Sequence, residues 1–117
     1  MTEKKYRTGG REYPMSTQHG FARDRLFSCL GQTREEVTHE LCSDALTRGI
    51  YPFDFRLRVR HALDPADPRT LWESWELTNT GEEEMFFALG AHPGFQIPAG
   101  VEKEDCFLVF PGREVLR

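Results

Sequence analysis

Residues 51–63 constrain the fold more than any other stretch of the chain. Phe53, Phe55, Leu57, Val59, His61 and Leu63 alternate with Asp54, Arg56, Arg58, Arg60 and Ala62. A period of two is that of a β-strand, whose successive side chains point to opposite faces, whereas a helix would repeat at three and four. The stretch predicts a strand with one apolar and one wet face, which needs neighbouring strands to cover its apolar side. Pro65, Asp67 and Pro68 break the run as a loop should. From Leu71 to Asn79 it resumes, with Leu71, Trp75 and Leu77 on one face and Trp72, Ser74, Glu76 and Thr78 on the other, so the two stretches read as a hairpin.

The rest of the chain supports an all-β reading. Thr80-Gly81-Glu82-Glu83-Glu84 predicts a turn and Met85 to Leu89 an apolar strand; Leu26 to Leu30, Val37 to Cys42 and Cys106 to Phe110 are further strand candidates. Thr33 and Glu36 are spaced as a helix capping box, but the alternation of Val37-Thr38-His39-Glu40-Leu41 favours a turn leading into a strand. Residues 1–18 show little periodicity and read as a lead-in loop. The sum is an antiparallel β-sandwich within 117 residues, room for one domain at most. Phe107-Leu108-Val109-Phe110 stands so near the end that the sandwich reads as incomplete.

Charge and cysteine content narrow the function classes. A net charge of −4 speaks against nucleic acid as a partner, and Arg56, Arg58 and Arg60 read as a solvated strand face. No apolar run approaches the length of a membrane-spanning helix. The polar start Met1-Thr2-Glu3-Lys4-Lys5-Tyr6 is no secretory signal, so a cytoplasmic location is expected. Cys29, Cys42 and Cys106 are odd in number and widely spaced, which predicts neither a zinc site nor a disulfide framework but buried or half-buried reduced thiols.

Four histidines remain to be weighed. His61 falls on the apolar face of the best strand and reads as a core or rim residue; His39 sits in a short polar strand beside Glu40. His19 is followed by Gly20, Phe21, Ala22, Arg23 and Asp24. Glycine permits close approach of a ligand, and Arg23 can offer a planar fork of donors to hydroxyl or phosphate oxygens; the alternative is a surface loop with a structural Arg23–Asp24 or Arg23–glutamate contact. His92 lies in Gly90-Ala91-His92-Pro93-Gly94-Phe95, flanked by small residues that leave the imidazole approachable. Phe95 could present an aromatic face to a sugar ring, and a β-turn with an incidental histidine is the alternative.

Four short motifs stand in a telling order. Gln18-His19-Gly20-Phe21-Ala22-Arg23-Asp24, Tyr51-Pro52-Phe53-Asp54-Phe55, Asn79 closing a strand, and Gly90-Ala91-His92-Pro93-Gly94-Phe95 together resemble the aldose 1-epimerases. The likeness is closest to the lactose-operon mutarotase-like branch and runs from about Tyr13 to Phe110. It implies the central portion (1–117) of a galactose-mutarotase-like β-sandwich. It also implies an activity that interconverts the α and β anomers of aldohexoses by acid/base ring opening, with a small aldose as partner and without metal or organic cofactor. Under the resemblance His92 matches the general acid at the ring oxygen, and imidazole suits that work near neutral pH. His19 matches the second histidine, which holds substrate oxygens; Arg23 and Phe95 would contact sugar.

The resemblance also implies a glutamate base and a substrate-binding aspartate nearer the family's C-terminus, and no motif here matches either. Glu82, Glu83 and Glu84 fall in a turn, and Glu102, Glu104 and Asp105 precede the last strand. Little or no catalysis is expected of these 117 residues by themselves. Three other readings compete: a non-catalytic carbohydrate-binding module, a structural or interaction β-domain, and a hexose-6-phosphate 1-epimerase. The last would require Arg23 to join other basic residues around a phosphate, and the sequence shows no matched cluster. The identity of the aldose and the oligomeric state stay open.

Overall fold

The computed structural model describes residues 4–15 and 19–112. Two antiparallel sheets account for all the described strands. The first is a hairpin of β1 (Lys5–Thr8) and β2 (Arg11–Pro14); the second holds β3 (Ser28–Gln32), β4 (Glu36–Cys42), β5 (Phe55–Leu63) and β6 (Leu71–Asn79) in the order β3-β4-β5-β6. One four-residue helix, α1 (Ala45–Arg48), joins β4 to β5. Among the described residues no helix is long and apolar enough to cross a membrane.

The β5–β6 hairpin follows the predicted alternation. Its register runs unbroken from Phe55 opposite Asn79 to Leu63 opposite Leu71. Asp64 shapes the connection by accepting from the backbone N–H groups of Ala66 (2.7 Å) and Asp67 (3.1 Å), and it also receives the Trp72 indole N–H at 2.8 Å. On the inner face Leu41, Phe55 and Leu57 form the buried core, with Phe21, Phe27, Tyr51, Val59 and Leu77 packed against it. Burying each such side chain contributes about 1.5–3 kcal/mol.

The outer face carries charge instead. The Arg58 guanidinium donates to Glu40 at 2.8 Å and lies 3.9 Å from Glu76, while Arg60 pairs with Glu36. The Arg58 hydrogen bond, ahead of its charge, holds the Glu40 carboxyl below the usual carboxylate range. Arg56 also stands 3.9 Å from Glu40, without a hydrogen bond, so carboxylates on β4 and β6 keep this face from being a net positive stripe. Ala62 is the exception on this face, being buried, and Leu63 at the end of the strand is exposed.

Several expectations need correction. Residues 5–14 form a hairpin rather than a loose lead-in. Gly9 and Gly10 have φ of 54° and 75°, the two positive values that a type I′ two-residue turn requires. Tyr6 and Tyr13 stack across it with ring centroids 5.6 Å apart, and Arg7 bridges Glu12 at 2.9 Å. The strand expected at Leu26–Leu30 begins at Ser28 and is bulged between Cys29 and Gly31, with Leu26 98% exposed. Thr33 does not cap a helix; its Oγ1 accepts from the N–H groups of Glu35 and Glu36 in the turn before β4.

Neither Met85–Leu89 nor Cys106–Phe110 is a strand. Both are apolar but pair with no described strand, and Phe86, Phe87 and all of Phe107 to Phe110 are exposed. Strand propensity gives no ladder without a partner edge. The thiols of Cys29, Cys42 and Cys106 are free as expected but exposed, because they lie on the edge strand, on the wet face and in the extended tail respectively.

Candidate functional site

The site is assembled around α1. Asp44 caps this short helix by accepting from the Thr47 N–H at 2.7 Å, and the Thr47 hydroxyl accepts from the Asp44 N–H at 2.7 Å while donating to the Asp44 carbonyl at 3.0 Å. Thr47 has 0% exposure. Its carbonyl then accepts from the N–H groups of Ile50 (3.0 Å) and Tyr51 (2.7 Å), so the turn sets where Tyr51 goes.

Tyr51 connects two segments distant in sequence. Its ring lies 5.5 Å from Phe21 and 5.8 Å from Phe55, and its hydroxyl donates to the Phe86 carbonyl at 2.7 Å. Burial pushes the phenol up from its ordinary pKa. The segment before Phe21 turns at Gly20, where φ is +74°, a left-handed value open to glycine. A short 3₁₀ turn, Ala22–Asp24, follows. Phe21 therefore anchors the loop that carries His19, and Phe86 anchors the segment that carries His92.

The two histidines meet. His92 Nε2 lies 3.1 Å from His19 Nδ1, with ring centroids 4.7 Å apart and planes at 84°. One nitrogen donates and the other accepts, so a single proton occupies the contact; two imidazolium rings would point N–H at N–H. Both rings are solvent-exposed, and each keeps its other nitrogen for a ligand.

The pair borders a hollow of about 1020 Å³ over the inner face of the large sheet, at the upper end of the range that takes small-molecule ligands. Arg23 lines it, together with Arg7 from the hairpin and Arg25. Those last two supply basic neighbours that the sequence did not reveal, since Arg7 reaches the hollow only because residues 5–14 fold as a hairpin. Phe95 is 72% exposed and does not line the hollow. Gln18, which precedes His19 in the first motif, lies outside the described residues.

Among the described residues that line the hollow, the one carboxylate is Glu73, opposite His61 in the β5–β6 register. Glu82 to Glu84 sit in the turn after β6, where Asn79 donates to the Glu83 carbonyl at 2.7 Å, and Glu102 to Asp105 flank an exposed 3₁₀ turn. None of these lines the hollow. Among the described residues no three His, Cys, Asp or Glu side chains are grouped as a metal site requires.

Comparison with known proteins identifies the family and the fold. The family model for aldose 1-epimerase matches residues 1–115. Two LacX proteins of Lactococcus lactis subsp. lactis, one plasmid and one chromosomal, are each 32% identical over 96 residues, covering 80% of this chain and 31% of theirs. The chain thus spans about a third of the length of these relatives. A crystal structure of a galactose mutarotase-like protein from Lactobacillus casei matches with TM-score 0.61 and 33% identity. A galactose mutarotase related enzyme from Lactobacillus acidophilus matches with TM-score 0.64 and 34% identity. Each match covers 69% of this chain and 26% of the other. The fold is all-β and antiparallel, of the galactose-mutarotase-like type, and the chain belongs to the aldose 1-epimerase family.

Proposed function

We propose that this chain is the sugar-holding, proton-donating part of an aldose 1-epimerase, forming the central portion of its β-sandwich. The observation that carries the proposal is the 3.1 Å contact between His19 and His92, residues far apart in sequence, at the rim of a large hollow. Anomer interconversion needs an acid at the ring oxygen and a base at the anomeric hydroxyl, and ring closure on the other face reverses both transfers. In this reading His92 is the acid. His19 shares the proton in the contact, orients the His92 ring and holds substrate oxygens. Arg23 supplies a planar donor fork toward a hydroxyl.

The base is not matched by any residue here, and no carboxylate is described in contact with the histidine pair. The proposal therefore assigns these 117 residues sugar binding with little or no acceleration of mutarotation, in a cytoplasmic setting. Polarimetry of fresh α-glucose and α-galactose at low buffer concentration tests this, with histidine resonances followed in parallel. Perturbed His19 and His92 signals without turnover are expected. Acceleration independent of buffer and abolished in His92→Ala would overturn the assignment of the base to other sequence. Absence of any sugar effect on the histidines would overturn the sugar site itself.

A second reading has one observation in its favour. Arg7, Arg23 and Arg25 all line the hollow, which suits a phosphorylated hexose. Tighter binding of glucose 6-phosphate than of glucose, lost in Arg23→Ala, would select the hexose-6-phosphate branch.

A further inference from the structure

Asp54 and Asn79 stand in two of the motifs noted in the sequence, yet neither lines the hollow. They meet where the β5–β6 hairpin ends: Phe55 faces Asn79 in the register, and the Thr80 N–H donates to the Asp54 carbonyl at 3.0 Å. The Asp54 carboxylate accepts from the Arg48 guanidinium at 2.7 Å and from the Ser43 hydroxyl at 3.0 Å, which ties this rung to the last turn of α1 and to the residue after β4. Past the rung the chain leaves the sheet, and Asn79 directs it with both ends of its amide. Its Oδ1 accepts from the Gly81 N–H at 3.0 Å, and its Nδ2 donates to the Glu83 carbonyl at 2.7 Å. An asparagine bonded to the backbone two residues on imitates a turn, and its amide supplies acceptor and donor together, which the isosteric carboxylate does not.

The segment after this turn has no described strand to pair with. Met85 packs against the core, the Phe86 carbonyl receives the Tyr51 hydroxyl at 2.7 Å, and further along His92 meets His19. Without a ladder, such a segment holds its course through spaced contacts, and the Asn79 bonds come first along it. Both are solvent-exposed, so they add little to global stability; their consequence is the direction in which residues 85–92 set out.

We propose that Asn79 is a positioning residue: by fixing the turn at 80–84 it aims the segment that brings His92 to His19. Its effect on sugar rests on the sugar-site reading above; its effect on the histidine contact does not. Imidazole 15N resonances of the wild-type chain should show complementary tautomers at His19 and His92, one nitrogen donating and the other accepting. Asn79→Asp keeps the acceptor for Gly81 and removes the donor to Glu83. Both rings should then lose their fixed tautomers, and affinity for glucose or galactose should fall about fivefold, the population factor that one lost hydrogen bond corresponds to. Asn79→Ala should go at least as far. Thr33→Ala removes an equally exposed turn-closing acceptor before β4 and should change neither readout. In the Asn79 variants the urea midpoint and the amide protection of β5 and β6 should stay close to wild type. Unfixed tautomers in wild type, or unchanged ones in both Asn79 variants, would overturn the proposal. So would a change matched by lost protection throughout β5 and β6, which marks a residue that serves the fold alone. Wild-type histidines that ignore both sugars would overturn the sugar site, and the tautomers would then decide the role of Asn79 by themselves.

Discussion

Thr47 offers the sharpest test of how the site is held, because hydrogen bonding and packing can be separated at one buried atom. In Thr47→Val the side chain keeps its shape, so no cavity opens, but the hydroxyl that accepts from the Asp44 N–H and donates to the Asp44 carbonyl is gone. Two hydrogen bonds at about 1 kcal/mol each make the expected loss about 2 kcal/mol. The reciprocal half of the cap, Thr47 N–H to Asp44, survives. Thr47→Ser does the opposite: the hydroxyl remains and one buried methyl is lost, which costs about 1 kcal/mol. Urea denaturation followed by circular dichroism should place the valine midpoint lower than wild type by about 1 M and the serine midpoint between them. In the valine variant the Tyr51 ring should also lose its fixed position, since the Thr47 carbonyl receives the Tyr51 N–H. A valine variant as stable as wild type, or a serine variant less stable than valine, would show that packing and not the capping hydroxyl secures this turn.

Three further outcomes follow from the same structure. Tyr6 donates to the Ile50 carbonyl, and burial, then the nearby Tyr13 and Tyr51, push its phenol up from 10.0 to about 12. A raised pKa means that its stabilisation is present below pH 10 and lost as pH rises toward 12, so in urea denaturation the stability advantage of wild type over Tyr6→Phe should shrink across that window. Gly10→Ala should cost about 1–2 kcal/mol from its φ of +75° alone, whereas Gly31→Ala, with equally open space around a new Cβ and no positive φ, should be near neutral in the same denaturation assay. Tyr51→Phe removes the solvent-accessible bond to Phe86 while leaving its rings in place, and about 0.5–1 kcal/mol of tethering should go with it. Amide exchange should then rise around Phe86 and His92 more than in β5.

The parts of the fold that were legible are those in which one side chain after another repeats a local rule. Phe55 to Leu63 and Leu71 to Asn79 alternate and are the two nine-residue strands. The hairpin at 5–14 obeyed a rule as well, Gly9-Gly10 between Tyr6 and Tyr13, but its strands are four residues long, too short for periodicity to register. Met85–Leu89 and Cys106–Phe110 failed for the opposite reason. Their composition suits a strand, yet pairing is a property of two segments, and neither finds a described partner.

The same division separates the readable half of the site from the hidden half. His19 and His92 announced themselves through glycine neighbours, but their contact depends on Tyr51 gripping Phe21 with its ring and Phe86 with its hydroxyl, and that depends on register and turn geometry. Glu73 is the more instructive case. Parity alone assigns it to the face of Leu71, Trp75 and Leu77, where a carboxylate violates the alternation that makes the rest of β6 readable. Only the register shows that the violation is answered by His61 directly across the pair of strands. A sequence that obeys its pattern at Phe55, Leu57 and Leu77 and departs from it at two facing positions has spent solvation where a pair of apolar residues would have served better for stability. Such paired departures are expected where a ligand, not the core, determines the residue. Replacing both positions together, His61→Leu with Glu73→Leu, should therefore stabilise the sheet and raise its urea midpoint. A double variant less stable than wild type would mean that the pair serves the fold after all.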